Sequence, residues 1–272
     1  MGGDGQDQKL EYYPCQYGRS RIMFRGPRVS LDGPYTVVLG GSDAYGKFVE
    51  DPFCDQLAER TGRQVVNLGV MNGGLDVFLR DEALLEVIGG AESVVIQAMG
   101  AGNMSNRYYA VHPRRNDRFL RQSRQLERLF PGVDFSDFSF TRHMLHALHG
   151  RSPQAFATLA AELRAAWVAR IRLLLTRLPG HKTLLWVENR TADPLGPEPL
   201  FITVDMMQAL EGQIDKVAHC DVTEDMIGDP LEGMMFGEEE EAQARLLLSP
   251  AAHDRIADTL ARALQRRTGL AA

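Results

Sequence analysis

A serine at a corner between a strand and a helix is the first candidate for chemistry in this sequence. The stretch 37–48, VVLGGSDAYGKF, is an apolar run followed by two glycines, Ser42 and the start of a helical pattern. Such a serine can be a nucleophile, part of an anion-binding corner, or only the N-cap of the helix that follows. At this point the sequence leaves all three interpretations open.

Two more glycine-rich corners follow apolar runs, NLGVMNGG at 67–74 and GAGNMSN at 100–106. Glycines let a ligand approach backbone N–H groups, and an asparagine amide is a further donor for an oxyanion. A serine, backbone N–H donors and an asparagine amide are the components of an acyl-transfer site, so the three corners together favour a ligand site. Three neighbouring polar residues are predicted to contact the substrate: Asp43, Asn72 and Asn106.

The elements that must position these residues alternate between apolar strands and helical patterns. Because the strands are apolar throughout, the pattern predicts a parallel sheet covered on both faces. We predict a three-layer, doubly wound α/β fold with a mostly parallel five-stranded sheet in the flavodoxin-like order 2-1-3-4-5. In this fold ligands bind outside the carboxyl ends of the strands, between strands 1 and 3, and the three corners belong to that rim.

The domain organisation follows from where this pattern starts and is interrupted. Residues 1–34 have no clear period and are predicted to form an irregular N-terminal arm. Residues 35–272 are predicted to form a single α/β domain, with an arginine-rich helical insert at about 103–150. Ser249 and Pro250 predict the start of a last helix, as N-cap and first helical residue.

The three corners resemble the first three sequence blocks of the SGNH, or GDSL-type, hydrolase superfamily. Gly40-Gly41-Ser42, with Gly46 four residues on, is similar to the Gly-Asp-Ser block, and Asn67-Leu68-Gly69 is similar to the second block. In the third corner, Asn103 is the nearest match to the block's asparagine. The resemblance covers roughly residues 35–105 and the C-terminal helix. It implies an SGNH-like fold, a serine nucleophile, and oxyanion roles for Asn103 and for Gly73 or one of its neighbours, Asn72 or Gly74.

The base that this family uses is missing from its usual place. The stretch LLLSPAAHDRIA at 246–257 is similar to the family's last block, and the match places Leu247 at the catalytic histidine and Ala244 at the aspartate. A serine needs a neighbouring base at neutral pH. Two other histidines are candidates: His253 in the first turn of the last helix and His112 beyond the third corner. For His253 the alternative is a packing or capping role in that helix.

The insert is strongly basic, with eight arginines and four acidic residues between Met104 and Gly150. Arginine forks suit carboxylate, phosphate or sulfate groups, so Arg107, Arg114 and Arg115 are predicted to bind an anionic substrate. The alternative is a surface helix that pairs with the acidic stretch 224–245. A histidine repeat in the insert lacks a carboxylate at the spacing that would complete a metal site, so no metal is predicted.

Composition excludes several classes of partner. The net charge of −6 argues against a general nucleic-acid or membrane-surface binder. No signal peptide and no membrane span are evident, and three scattered cysteines without CxxC spacing suggest a reducing compartment. We predict a cytoplasmic protein with a small-molecule partner and no cofactor. A homo-oligomer is compatible with the sequence.

These observations favour a divergent serine esterase or acyltransferase that acts on a small anionic acyl or carbohydrate conjugate. The alternative is a non-catalytic protein that binds an anion or metabolite on an SGNH-like scaffold, in agreement with the missing base. A third hypothesis is transfer of a phosphoryl or sulfuryl group, for which positioning and charge matter more than a base. No P-loop spacing supports it.

Overall fold

The structure, a computed structural model, describes residues 10–265 of the chain. Predictions that fall on residues 1–9 of the arm and on residues 266–272 lie outside the described residues. The strands within this range are β1 (Tyr35–Gly40), β2 (Gln64–Gly69), β3 (Ser93–Gln97), β4 (Tyr109–Val111), β5 (Phe119–Gln122), β6 (His181–Glu188) and β7 (Lys216–Asp221). The helices are α1 (Ser42–Tyr45), α2 (Phe53–Thr61), α3 (Leu75–Arg80), α4 (Glu82–Gly89), α5 (Arg124–Leu129), α6 (Thr141–Arg151), α7 (Pro153–Leu175), α8 (Val204–Gln208), α9 (Glu241–Ala244) and α10 (Pro250–Gln265).

Five strands form one parallel sheet in the order β2-β1-β3-β6-β7. Counted along the sheet strands alone, this is the order 2-1-3-4-5, so the predicted doubly wound fold is confirmed. The chain leaves β1 towards β2 on one side and returns to β3 on the other. The carboxyl end of β1 is therefore the point where the connections diverge and a crevice opens.

The sheet is covered on both faces because side chains alternate along each strand. Val37 and Leu39 belong to a large core shared with α3, α4, α6 and α7, whereas Val38 belongs to a second core with α2 and α10. Trp167 of α7 is fully buried, and its indole N–H donates to the Met99 carbonyl at 2.7 Å. This bond fixes the long helix directly against the segment that follows β3.

The described part of the arm is held by its own buried residues. Cys15 and Phe24 form an antiparallel bridge, and Tyr17 and Phe24 enter the large core. Arg25 is buried, and its guanidinium donates to the backbone carbonyl of Gly46, just after α1, and to that of Glu50. The arm therefore contributes directly to the segment that carries Ser42.

The insert is not simply helical, which corrects the sequence-based expectation. It begins with the antiparallel hairpin of β4 and β5, continues through α5 and a 3-10 turn, and ends in α6. The hairpin strands are only three and four residues long, and β5 carries the exposed Leu120 and Arg121, so they lack the longer apolar runs that predicted the strands of the sheet. Asn116, between the two strands, is fully buried and donates its backbone N–H to the Asn72 carbonyl at 2.9 Å. The insert thus packs onto the second corner.

Two smaller expectations can be compared with the structure. Ser249 accepts a hydrogen bond from Ala252 N at 3.1 Å, which is the predicted capping of α10. Cys54 and Cys220 are buried and Cys15 is partly buried; no disulfide joins them.

Within residues 10–265, no helix has the length and apolar character needed to cross a membrane.

Candidate active site

A cavity of about 330 Å³ opens at the carboxyl ends of β1 and β3, and we call it the Ser42 pocket. Five of the predicted site residues line it: Ser42, Asp43, Asn72, Gly73 and Asn103. The parallel sheet brings them together because the segments after β1, β2 and β3 leave at the same edge. The structure therefore joins three corners that are about 30 residues apart in the sequence into one site.

Ser42 is the first residue of α1 and does not cap it. The N-cap is Gly41, and no side chain caps this helix, so the N-cap interpretation of Ser42 is wrong. Instead, Ser42 Oγ accepts a hydrogen bond from the Asn72 backbone N–H at 3.0 Å and lies 3.5 Å from Asn72 Oδ1. Asn72 has φ +55°, a left-handed conformation that is uncommon outside glycine and worth attention at a functional site. The serine hydroxyl is thus held in place by the second corner.

Donors for an oxyanion come from Asn103 and from Ser42 itself. Asn103 Oδ1 accepts from Thr141 Oγ1 at 2.7 Å, and within the described residues its amide NH2 has no protein partner. The Ser42 N–H stands at the first position of α1, where a helix offers no carbonyl to bond. Gly73 differs from the prediction, because its N–H donates to the Val70 carbonyl at 2.9 Å and is not available to a ligand.

Asp43 is a carboxyl group of the pocket whose proton affinity is changed by its surroundings. Burial raises the pKa of Asp43 to about 6, the hydrogen bond from Gln97 opposes this rise, and repulsion from Glu198 adds to it. Gln97 Nε2 donates to Asp43 Oδ2 at 2.7 Å, while Gln97 Oε1 accepts from the Gly41 N–H at 3.0 Å. Gln97 therefore fixes the carboxylate relative to the backbone that carries the serine.

Three further charged residues reach the pocket, and sequence reasoning missed them. Asp117 Oδ1 is buried without a hydrogen-bond partner, and desolvation raises the pKa of this carboxyl. Glu198 forms an ion pair with Arg142 and accepts from Leu200 N at 3.1 Å. Three carboxyl groups thus face one arginine, which is already paired, so the Ser42 pocket is acidic.

The far side of the pocket is apolar where a base was expected. Leu246, Leu247 and Leu248 line it, and Leu247 occupies the position that the SGNH resemblance gives to the catalytic histidine. None of the described residues that line the Ser42 pocket is a histidine. The titratable acceptors that the lining offers are therefore carboxyl groups rather than an imidazole.

A family model described as "Domain of unknown function (DUF6473)" matches residues 1–268. The chain belongs to this family. A search of curated proteins finds no match for the DUF6473 chain.

Solved structures that are similar to the DUF6473 chain include lipases and esterases. One is a lipase from a goat rumen metagenome, with a TM-score of 0.44 and 12% identity over 85% of this chain and 97% of that chain. Another is a lipase/acylhydrolase from Enterococcus faecalis, with a TM-score of 0.44 and 16% identity over 86% and 97% of the two chains. A third is a catalytic mutant of an acetylxylan esterase from Geobacillus stearothermophilus, with a TM-score of 0.43 and 14% identity over 88% and 95%. The fold class of the DUF6473 chain is defined by its own strand order.

His253 has a structural role in the DUF6473 chain rather than the predicted role of base. It is 1% exposed, its ring stacks on Phe53, and its Nδ1 accepts from the Phe53 backbone N–H at 3.1 Å. Burial, with a smaller contribution from Arg25, lowers the pKa of His253 to about 3. The nitrogen that could take a proton is already used, and the side chain does not line the Ser42 pocket.

His112 and Asn106 organise turns of the insert instead of lining the Ser42 pocket. His112 Nδ1 accepts from the backbone N–H groups of Arg114 and Arg115, at 3.3 and 3.1 Å. Asn106 Oδ1 accepts from Tyr108 N at 2.8 Å and from Tyr109 N at 3.2 Å, and its amide donates to the Met104 carbonyl at 3.0 Å. Neither predicted role, base or substrate contact, agrees with these bonds.

The predicted arginines also lie outside the Ser42 pocket. Arg107 forms an ion pair with Glu162 at 3.0 Å. Arg114 and Arg115 are exposed and line cavities on the side of the arm. Neither makes an ion pair with the acidic stretch 224–245 within the described residues, so the alternative of pairing with that stretch is not supported either.

The three insert histidines of α6 have separate partners. His143 contacts Phe138, His146 lies 3.1 Å from Asp193 Oδ2, and His149 contacts Phe156. Among residues 10–265, no cluster of His, Cys, Asp and Glu side chains could hold a metal ion.

Proposed function

We propose that this protein is a serine esterase in which Ser42 is the nucleophile and Asp43 is the general base. The observation that supports this most directly is the shared cavity. It combines the Ser42 hydroxyl, the unpartnered amide of Asn103 and a carboxyl group whose pKa burial raises to about 6. A nucleophile, a base fixed by a third residue and oxyanion donors are the parts that acyl transfer needs.

The raised pKa makes the carboxylate a useful substitute for a histidine. An imidazole in water has its pKa near 6.5 and an ordinary aspartate near 3.9, and proton transfer is most efficient when the pKa of the base is close to the working pH. Burial brings the pKa of Asp43 to about 6, close to the imidazole value. Gln97 takes the role of the orienting residue, since it holds Asp43 Oδ2 at 2.7 Å.

The reaction then proceeds in two balanced steps. Ser42 Oγ forms a bond to the acyl carbon, its proton passes to Asp43, and the new oxyanion accepts from the Asn103 amide and the Ser42 N–H. The tetrahedral species collapses, and the leaving alcohol takes the proton from Asp43. A water molecule then attacks the acyl carbon of the acyl-serine, and its proton passes to Asp43. The bond between this carbon and Ser42 Oγ breaks, Ser42 Oγ takes the proton back from Asp43, and the acid leaves. An acceptor alcohol in place of this water would make the protein an acyltransferase.

The acidic lining of the Ser42 pocket favours an ester whose alcohol part carries several hydrogen-bond donors. Asp117 Oδ1 is buried without a partner, and such an acceptor is costly unless a ligand supplies an N–H or O–H. A sugar or another polyol provides hydroxyl groups for this purpose. An anionic group inside the pocket would instead be repelled by the neighbouring carboxyl groups of Asp43, Asp117 and Glu198.

A second candidate function is a binding protein without turnover, and one observation favours it. The Ser42 hydroxyl accepts from Asn72 N, and its hydrogen-bond acceptor is an amide oxygen, Asn72 Oδ1, at 3.5 Å. An amide oxygen is not a base that can take the serine proton. In this alternative the same pocket would hold the polyol without cleaving it.

Aryl acetate hydrolysis separates the two candidates. We expect wild-type turnover to fall to the background rate in Ser42→Ala, because the nucleophile is lost. The matched control is Ser30→Ala, which removes an exposed hydroxyl on the arm and should leave the rate unchanged. A fluorophosphonate probe should add mass to the peptide that contains Ser42 in wild type only. Equal rates in wild type and Ser42→Ala, with no labelling, would refute the esterase and favour the binding protein.

A further inference from the structure

A second concave surface lies beside the Ser42 pocket, and we call it the basic groove. It consists of two adjoining cavities of about 430 and 530 Å³ that share Arg21 and Arg114. Five arginines line the two cavities: Arg19, Arg21, Arg80, Arg114 and Arg115. They come from the arm, from α3 and from the turn between β4 and β5, so segments far apart in the sequence contribute positive charge to one surface.

The backbone that presents these arginines is fixed. On the arm, the Cys15–Phe24 bridge closes a hairpin, and Ser20 Oγ donates to Asp81 Oδ2 at 2.6 Å. In the insert, His112 Nδ1 accepts hydrogen bonds from the backbone N–H groups of Arg114 and Arg115. The guanidinium groups therefore extend from ordered turns on both sides of the groove.

The arginines of the basic groove have few counter-charges. Within the described residues, the four side chains of Arg19, Arg21, Arg114 and Arg115 make no ion pair and no side-chain hydrogen bond. Arg80 reaches Asp76 at 3.4 Å. The groove also contains Asp81 and Glu82, but the Asp81 oxygens already accept from Ser20 Oγ and from Leu84 N. Unpaired, like-charged arginines on one surface of an acidic protein suit a ligand with several anionic groups.

The basic groove and the Ser42 pocket are neighbours. Met71 lines both, and the adjacent Asn72 holds Ser42 Oγ on one side and the insert residue Asn116 on the other. A molecule that extends past Met71 can therefore occupy both surfaces at once. The pocket would hold a hydroxyl-rich unit that carries the acyl group, and the groove would hold negative charge.

We propose that the basic groove binds the anionic groups of an acylated acidic oligosaccharide while its ester lies in the Ser42 pocket. The part about the ester rests on the proposed function, whereas anion binding by the groove does not. Guanidinium forks match the paired oxygens of a carboxylate, and a sulfate group presents paired oxygens as well, so both are included in the proposal. The exposed position of the arginines means that binding weakens as salt is added.

Direct binding tests the groove without any need for turnover. Trigalacturonate and short dextran sulfate oligomers are titrated into the full chain at low salt, with maltotriose as the neutral control. The variants are Arg114→Gln/Arg115→Gln and Arg19→Gln/Arg21→Gln. The control variant is Arg63→Gln/Arg128→Gln, which removes two exposed arginines that do not line the groove. We expect each groove variant to weaken binding of at least one anionic probe about tenfold, and the control variant to leave it unchanged.

Turnover then shows whether the groove serves the ester. With an acetylated trigalacturonate, the groove variants should raise KM about tenfold and leave kcat unchanged, while the KM for a neutral aryl acetate stays the same. Anionic probe binding that depends on the groove, without any ester turnover, would refute the proposed function and keep the groove. No binding of either anionic probe, or equal loss in the control variant, would refute the groove.

Discussion

The substitution Asp43→Asn should stabilise the folded protein at alkaline pH while it removes turnover. Asparagine keeps the shape of the side chain and can still accept the hydrogen bond from Gln97, so the main change is the loss of a buried charge. Because burial raises the pKa of Asp43 from 3.8 to about 6, the folded protein keeps this proton to a higher pH than the unfolded chain does. Wild type therefore loses stability as the pH rises from about 4 to about 6.

The size of the effect follows from the two pKa values. A tenfold change in an acid equilibrium is worth about 1.4 kcal/mol, so the rise of the Asp43 pKa to about 6 corresponds to about 3 kcal/mol at pH 8. The side chain keeps some exposure in the pocket, and solvent screening reduces the expected gain for Asp43→Asn to about 1–2 kcal/mol. At pH 4 Asp43 is protonated in the folded protein and about half protonated in the unfolded chain, so the gain should fall to a small fraction of its value at pH 8.

Urea unfolding of wild type and Asp43→Asn at pH 8 and pH 4 measures this difference. The control is Asp134→Asn, since hydrogen bonds from Ser136 lower the pKa of that exposed carboxyl and its removal should bring no gain at pH 8. An Asp43→Asn variant that is no more stable than wild type at pH 8, or equally stabilised at both pH values, would refute the reasoning.

For turnover, the wild-type rate should rise with pH through about 6, as Asp43 loses its proton, and then level off. The amide of Asp43→Asn cannot accept a proton, so the turnover rate of this variant should be at least about a hundredfold lower than that of wild type.

Three further substitutions test other parts of the structure. His253→Ala should lower the free energy of unfolding by about 2–4 kcal/mol at pH 8, because it leaves a cavity and an unbonded Phe53 N–H. Turnover per folded molecule should stay unchanged, and a loss of turnover would show that His253 is the base after all. Since its pKa is lowered to about 3, wild type should also lose stability as the pH falls below about 6.5, and His253→Ala should lose less. Gly69→Ala would place a methyl group 2.3 Å from Tyr45 N, and thermal melting should show a loss of about 1–3 kcal/mol; a neutral effect would contradict the close packing of α1 on β2. Leu247→His puts an imidazole into the Ser42 pocket and should raise aryl acetate turnover about tenfold at pH 8. An unchanged rate would mean that a side chain at position 247 cannot reach the proton of the Ser42 hydroxyl.

The fold could be predicted because its signals are local. Strands β1, β2 and β3 are largely apolar runs that end in glycine or polar corners, and a parallel sheet places those corners at one edge. Ser42, Asn72 and Asn103 could be assigned to one site on this ground alone. Gln97 was also within reach, since it is a polar residue at the carboxyl end of the otherwise apolar β3.

The hydrogen bonds that decide each residue's role could not be predicted. Gly73 and Asn106 lie near the expected rim, but their donors and acceptors are used inside their own turns. Asp117 and Arg142 belong to the insert and reach the Ser42 pocket only through its tertiary packing. His253 shows the same limit, because a histidine at the right end of a helix can have its acceptor nitrogen bonded to a backbone N–H.

The packing of the arm has a consequence for the order of folding. Tyr17 and Phe24 are buried in the large core, and Ser20 bonds to Asp81, all of which requires α4 and the strands around it. The arm precedes these elements in the chain, so it leaves the ribosome before any surface exists to receive it. The described part of the arm therefore cannot take its place before α4 and the neighbouring strands have been synthesised. The hydrogen bonds of Arg25 to the carbonyls of Gly46 and Glu50, just beyond α1, depend on that docking.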